Sequence, residues 1–157
     1  MSELTQLGSR VSVIASDMGN IESVQAIMAL FSPTRPLRGI FHAAGVLADG
    51  VFSSLTPQRC ATAYRPKVHA AWHLHQLSQS MDLDFFIMCS SLSGIIGNAG
   101  QANYAAANTF LDALAHMRRA ARLPATSISL GLWGGHGMRE RLSAFDLARY
   151  AGMGIMP

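Results

Sequence analysis

Charge is scarce in this chain. Asp, Glu, Lys and Arg make up 13% of its 157 residues, against roughly a quarter in an ordinary soluble domain. With 50% of residues apolar, part of the apolar surface is expected to lie against neighbours. The formal charge of +3 and the pI near 9.3 are basic. Yet the cations are scattered, apart from Arg118-Arg119 and the Arg139/Arg141 pair, whereas a nucleic-acid footprint gathers them on one face. No nucleic-acid partner is expected.

Cysteine is scarcer still. Cys60 and Cys89 lie far apart and in no CxxC pattern, so neither a zinc site nor a disulfide framework is indicated. No apolar run reaches the 18 or more residues of a membrane span, and MSELTQLGSR carries no signal-peptide pattern. A soluble, cytoplasmic chain without a membrane partner is the expectation. Repeats, low-complexity linkers and domain boundaries are absent, so residues 1–157 read as one domain or part of one. A GxGxxG phosphate-binding turn is absent as well.

What is present is an alternation of strand and helix patterns. Val11 to Ala15 is a β-branched run. Ile21, Val24, Ile27, Met28 and Phe31 then recur at helical spacing. Leu37 to Ala44 reads as a second strand, closed by Gly45. Thr56 to Ser80 reads as a long helix broken at Pro66, with Ala61, Tyr64, Val68, Ala71, Trp72 and Leu77 facing inward. Phe85 to Cys89 has the continuous apolar character of a strand covered on both faces. A helix over 104–122, a strand over 124–132 and a Gly-rich loop leading to a short helix complete the pattern. The fold class is α/β: an open parallel sheet with flanking helices, its ligand site at the carboxyl ends of the strands.

Tyr104 and Asn108 stand four positions apart near a helix start, so both side chains project from one face. Ser90-Ser91 end the preceding strand, and glycines 94, 97 and 100 permit tight turns between strand and helix. His69 and His73 have the spacing of a zincin helix, but Ala70 stands where the catalytic Glu would be and no third ligand is evident. They read as helix-surface histidines, and no metal is expected.

The stretch SSLSGIIGNAGQANYAAAN resembles the active-site segment of the short-chain dehydrogenase/reductase superfamily, specifically of ketoreductase domains from modular polyketide synthases. The superfamily carries Lys four residues after the Tyr. Here Asn108 holds that position, and a lysine precedes the Ser, in Arg65-Pro66-Lys67-Val68. That interchange marks the polyketide ketoreductase branch. FHAAGVLADG resembles the strand-end loop beside the cofactor, Ser16-Asp17 the acidic corner near the adenine, and PATSISLGLW the strand leading to the lid.

The resemblance implies a partial Rossmann-like fold and NADPH-dependent reduction of a β-ketoacyl thioester, carried on an acyl carrier protein, in polyketide or fatty-acid biosynthesis. It implies Lys67, Ser91, Tyr104 and Asn108 as catalytic residues. Asp17, His42, Ala43, Ala44 and Gly45, with Lys67 and Tyr104, would bind the cofactor. Leu47, Asp49, Trp133 and Met138 would bound the substrate. Leu47-Ala48-Asp49 falls where many such domains carry a Leu-Asp-Asp loop, and Ile96 stands where domains giving the opposite alcohol often have Trp. The lean is towards the class with the loop, although a solvated loop Asp explains Asp49 equally well.

Against the family pattern the chain lacks the N-terminal Gly-rich βαβ portion and the last strand. Partners expected on that ground are other synthase domains or an N-terminal half. Either Val11 to Ala15 pairs directly with Leu37 to Ala44, or a free sheet edge remains and invites self-association. Two competing functions follow: a catalytically silent structural or interaction fragment, and a stand-alone short-chain dehydrogenase for a small alcohol.

Overall fold

The computed structural model describes residues 2–131, 147–148 and 151–152. Trp133, Met138 and the rest of the expected Gly-rich loop lie outside the described residues. Three parallel strands, β1 (Gly39–His42), β2 (Phe85–Ser91) and β3 (Thr126–Leu130), form a sheet in the order β1-β2-β3. Short helix α1 (Ser2–Gln6) and helix α2 (Ile21–Met28) precede it. Helices α3 (Pro57–Tyr64) and α4 (Ala70–Ser78) connect β1 to β2, and α5 (Ser93–Ile96) and α6 (Ala102–Ala120) connect β2 to β3. Parallel neighbours require such crossovers, because a hairpin can only reverse the chain.

Local chemistry sets the helix starts. Asn20 caps α2 by accepting from Ser23 N at 2.9 Å, and Thr56 caps α3 by accepting from Arg59 N, with Pro57 at the first helical position. The core gathers Val24, Ile40, Ala71, Leu74, Phe86, Met88, Leu111 and Leu114 between the helices and one face of the sheet. Fully burying a side chain such as Phe86, Met88 or Leu111 contributes roughly 1.5–3 kcal/mol.

Three expectations are corrected. Val11 to Ala15 joins no sheet: Val13 and Ile14 are exposed, and this run makes no backbone ladder among the described residues. β-branched composition suits a pleated, packed surface, and without a partner strand it does not create one. Second, among the described residues β2 is covered on one face only. Phe86, Met88 and Ser90 are buried under the helices, whereas Phe85, with Phe41 of β1 and Ile128 of β3, is exposed on the other face. Third, Ala61 and Trp72 are exposed; Ala71 faces inward as expected, and Ala63, Ala70, Leu74 and Ser78 are buried alongside it. Small alanines suit the packing of α3 against α6 and of α4 against α2, and bulky Trp72 is left outside against His75 and Phe110.

Beneath Trp72 sits a buried polar group. Arg118 stacks its guanidinium 4.0 Å from the Phe86 ring centroid, donates through Nε to Pro124 O, and through Nη1 to His75 Nδ1 at 3.1 Å and the Ser78 hydroxyl. His75 must therefore be neutral. Burial, reinforced by Arg118, lowers its pKa, and burial pushes His42 down to about 4. Both values lie below the unfolded value near 6.5, so on acidification the unfolded chain takes up protons first. The contribution of the two neutral histidines should be complete above about pH 6.5 and be lost as the pH drops towards 4. Urea unfolding across that window checks this. A His42→Gln/His75→Gln double variant with the parent's full pH slope would refute it.

Candidate active site

The candidate site is organised around a local irregularity. Between α3 and α4, residues Arg65–His69 widen into a π-turn, in which the Ala70 N–H reaches back to Arg65 O. Pro66 has no N–H to donate, so regular α-helical bonding fails here and the wider turn absorbs the defect. Lys67, the only lysine in the sequence, is thereby turned inward and left 3% exposed. Its Nζ donates to Cys89 O on β2 at 2.8 Å, and its own carbonyl lies 3.3 Å from His42 Nε2 at the end of β1. As a carbonyl only accepts, His42 is the donor and carries its proton on Nε2. Burial pushes the Lys67 ammonium from 10.5 down to about 8, with Cys89 and Asp112 opposing the shift.

A Cβ on Gly45 would stand 3.0 Å from Lys67 Cε and 3.6 Å from Nζ. Gly45→Ala is therefore expected to displace the ammonium towards water and raise its titration from about 8 back towards 10.5, while the unfolding midpoint moves little. An unchanged amine titration in that variant would count against the Lys67 position described here.

Tyr104, in the first turn of α6, is buried at 5% exposure. The Lys67 Nζ lies over its ring, 5.4 Å from the centroid, within the range of a cation–π contact. Asn108, fully buried one turn on, donates from Nδ2 to Tyr104 O at 2.8 Å, and its Oδ1 accepts no hydrogen bond. A buried acceptor without a donor is costly to retain.

The two serines at the end of β2 differ in what they face. Ser90 is buried and donates to Asn108 O at 3.2 Å, fastening α6 to β2. Ser91 accepts at Oγ from both the N–H and the hydroxyl of Ser93, which leaves its own proton available to an incoming oxygen. Gly97 and Gly100, at φ of +74° and +79°, supply the left-handed turns that carry the chain from α5 into α6.

The 47–50 loop is fastened to the same corner. Gln101 Nε2 donates to Asp49 Oδ2 at 2.8 Å, Gly50 N to Gly100 O at 2.8 Å, and Arg59 Nη1 to Asp49 O at 3.2 Å. Asp17 is bound by Arg65 of the π-turn, with contacts of 2.7 and 2.8 Å, and by Gly19 N. Those contacts hold its carboxyl below the usual range. Ala43, Ala44 and Gly45 form an exposed stretch beyond β1.

The structure thus brings Lys67, Tyr104 and Asn108 into one buried group, with Ser91 at the end of the adjoining strand. His42 lies behind it, under the Lys67 turn. Residue typing and spacing missed Asn103, whose side chain joins three segments, and Ser93, which orients Ser91. An Asn at the second position of a helix was the available signal, since it commonly bonds nearby backbone.

The KR-domain family model matches residues 1–135. Polyketide synthase GfsA of Streptomyces halstedii is 47% identical over 158 residues, covering 100% of this chain and 2% of that protein. Mycoketide-CoA synthase of Mycobacterium tuberculosis is 46% identical over 157 residues, covering 99% and 4%. The chain therefore spans only a few per cent of the length of these curated relatives. Among solved structures, an A1-type ketoreductase superposes with a TM-score of 0.87 at 40% identity, over 92% of this chain and 31% of that one. A ketoreductase domain from the bacillaene assembly line gives 0.87 at 33% identity, over 97% and 38%. Lys67, Tyr104 and Asn108 thus meet within a fold shared with solved ketoreductases, and the chain belongs to the KR-domain family of polyketide synthases, a family of nicotinamide-dependent reductases.

Proposed function

We infer that this chain carries the proton-delivery apparatus for NADPH-dependent reduction of a β-ketoacyl thioester, held on an acyl carrier protein, to the β-hydroxyacyl thioester. The observation that carries the reading is the buried Lys67 ammonium over the Tyr104 ring. A free phenol titrates near 10, and a neighbouring cation in a low-dielectric site favours the tyrosinate left after proton transfer. Ser91 donates a hydrogen bond to the ketone oxygen as negative charge develops there, and Tyr104 gives that oxygen its proton.

The residues present fit a dinucleotide. Among the described residues Lys67 Nζ donates to Cys89 O alone, leaving donors for ribose hydroxyls, and Asn108 Oδ1 has no donor there, which a hydroxyl or a relayed water would supply. The exposed small residues Ala43 to Gly45 would let the cofactor approach the end of β1, and Asp17 would face the adenine. When bound, NADPH supplies the hydride to the carbonyl carbon. Leu47 and Asp49 would border the acyl chain, together with Trp133 and Met138. The carrier and other synthase domains are the partners this reading implies.

Calorimetric titration of the chain with NADPH, followed by product analysis with a β-ketoacyl thioester, tests the proposal. Saturable binding and one enantiomer of β-hydroxyacyl thioester are expected. Absence of binding would favour a catalytically silent interaction role, and turnover of free alcohols but not thioesters a stand-alone dehydrogenase. The solved neighbours include A1-type and C2-type ketoreductases, so the enantiomer belongs in the readout.

A further inference from the structure

We propose that Asn103 is a positioning residue that locks the substrate-bordering 47–50 loop to the start of α6 at Tyr104. The proposal deepens the ketoreductase reading and rests on it. Asn103 is 2% exposed, and both ends of its amide are used. Its Nδ2 donates to Ala48 O at 3.0 Å in the loop and to Arg59 O at 3.3 Å in α3, while its Oδ1 accepts from the Tyr104 N–H at 2.9 Å. One side chain thus ties together the loop, α3 and the backbone of the proposed proton donor.

The surrounding bonds make this a clamp rather than an isolated cap. Gln101, which precedes α6, has no side-chain capping bond, so the α6 N-terminus depends on Asn103 for a side-chain acceptor at Tyr104. The Gln101–Asp49 bond joins the same loop from a more exposed position on Asp49, where water competes. The Asn103 bonds are shielded, and an amide offers donor and acceptor together. The loop that orients the acyl chain and the residue that protonates its ketone therefore keep one fixed relative position. Reaction rate is sensitive to displacements of about 1 Å at such a distance.

Asn103→Asp separates the two ends of the amide, because it keeps an acceptor for Tyr104 N and loses both donations. Hydrogen exchange at the Gly50 amide, which donates to Gly100 O, reports the loop directly and needs no turnover. Exchange should accelerate roughly tenfold or more in Asn103→Asp, while amides in the middle of α6 keep the parent's protection. With a β-ketoacyl thioester, KM should rise and the enantiomer ratio erode. Asn103→Ala, which also loses the acceptor, should lower kcat as well. Parental exchange at Gly50 in Asn103→Asp would overturn the clamp. Faster exchange with parental KM and enantiomer ratio would overturn its role in positioning substrate. A parent chain inactive on the ketone defeats the ketoreductase reading, and the exchange measurement then decides the clamp alone.

Discussion

Tyr104→Phe is expected to lower kcat for β-ketoacyl thioester reduction by roughly 10²–10⁴-fold, the range lost when a positioned general acid is removed, with KM close to the parent's. The change deletes one oxygen from a residue that is 5% exposed and packed under Lys67, so ring packing persists and the unfolding midpoint should stay near the parental value. NADPH binding should weaken only modestly, because Tyr104 gives up a single hydroxyl among the expected cofactor contacts while Lys67, Asn108 and the Ala43 to Gly45 stretch are untouched. Paired measurement of kcat and cofactor affinity checks both halves. A variant reducing the ketone as fast as the parent would remove Tyr104 from the mechanism and leave Ser91 or a water as proton source.

Strand–helix alternation and the core strands could be read from residue pattern because Ile40-Phe41 and Phe85 to Cys89 are apolar, Ser127 to Leu130 alternates polar with apolar, and turn residues bound each strand. Pairing could not. Val11 to Ala15 has strand composition and makes no ladder, since a strand exists only with a neighbour, and the neighbour is a tertiary fact. The Thr56 to Ser80 helix shows the same limit at finer scale. Pro66 marked the break, but a break can kink a helix, end it or widen it. The π-turn that formed shifts the inward face, so Trp72 points outward and Lys67 inward. On spacing alone, Lys67 is an ordinary solvated helix lysine; only the resemblance singled it out. Tyr104 and Asn108 were legible because helical periodicity fixes their shared face. Ser90 and Ser91 alternate across the sheet, and which faces the ligand depends on where α6 packs.

Lys67→Met is expected to damage catalysis and stabilise the fold at once. Catalysis should fall roughly 10²-fold or more, since no cation then favours the tyrosinate. Stability should move the other way. Burial that lowers the ammonium from 10.5 to about 8 costs roughly 3 kcal/mol at neutral pH, at about 1.4 kcal/mol per unit. Loss of the bond to Cys89 O offsets about 1–2 kcal/mol of that gain, leaving a net stabilisation of about 1–2 kcal/mol in urea unfolding. The pH dependence follows from the same shift. Between about pH 8 and 10.5 the folded parent has released a proton that the unfolded chain still holds, so the parent's stability rises with pH. Lys67→Met should lack that rise. Because no other lysine is present, the side-chain amine titration can be followed directly by NMR. A midpoint near 10.5, or a variant no more stable than the parent at neutral pH, would show that the ammonium lies in water and not over the Tyr104 ring.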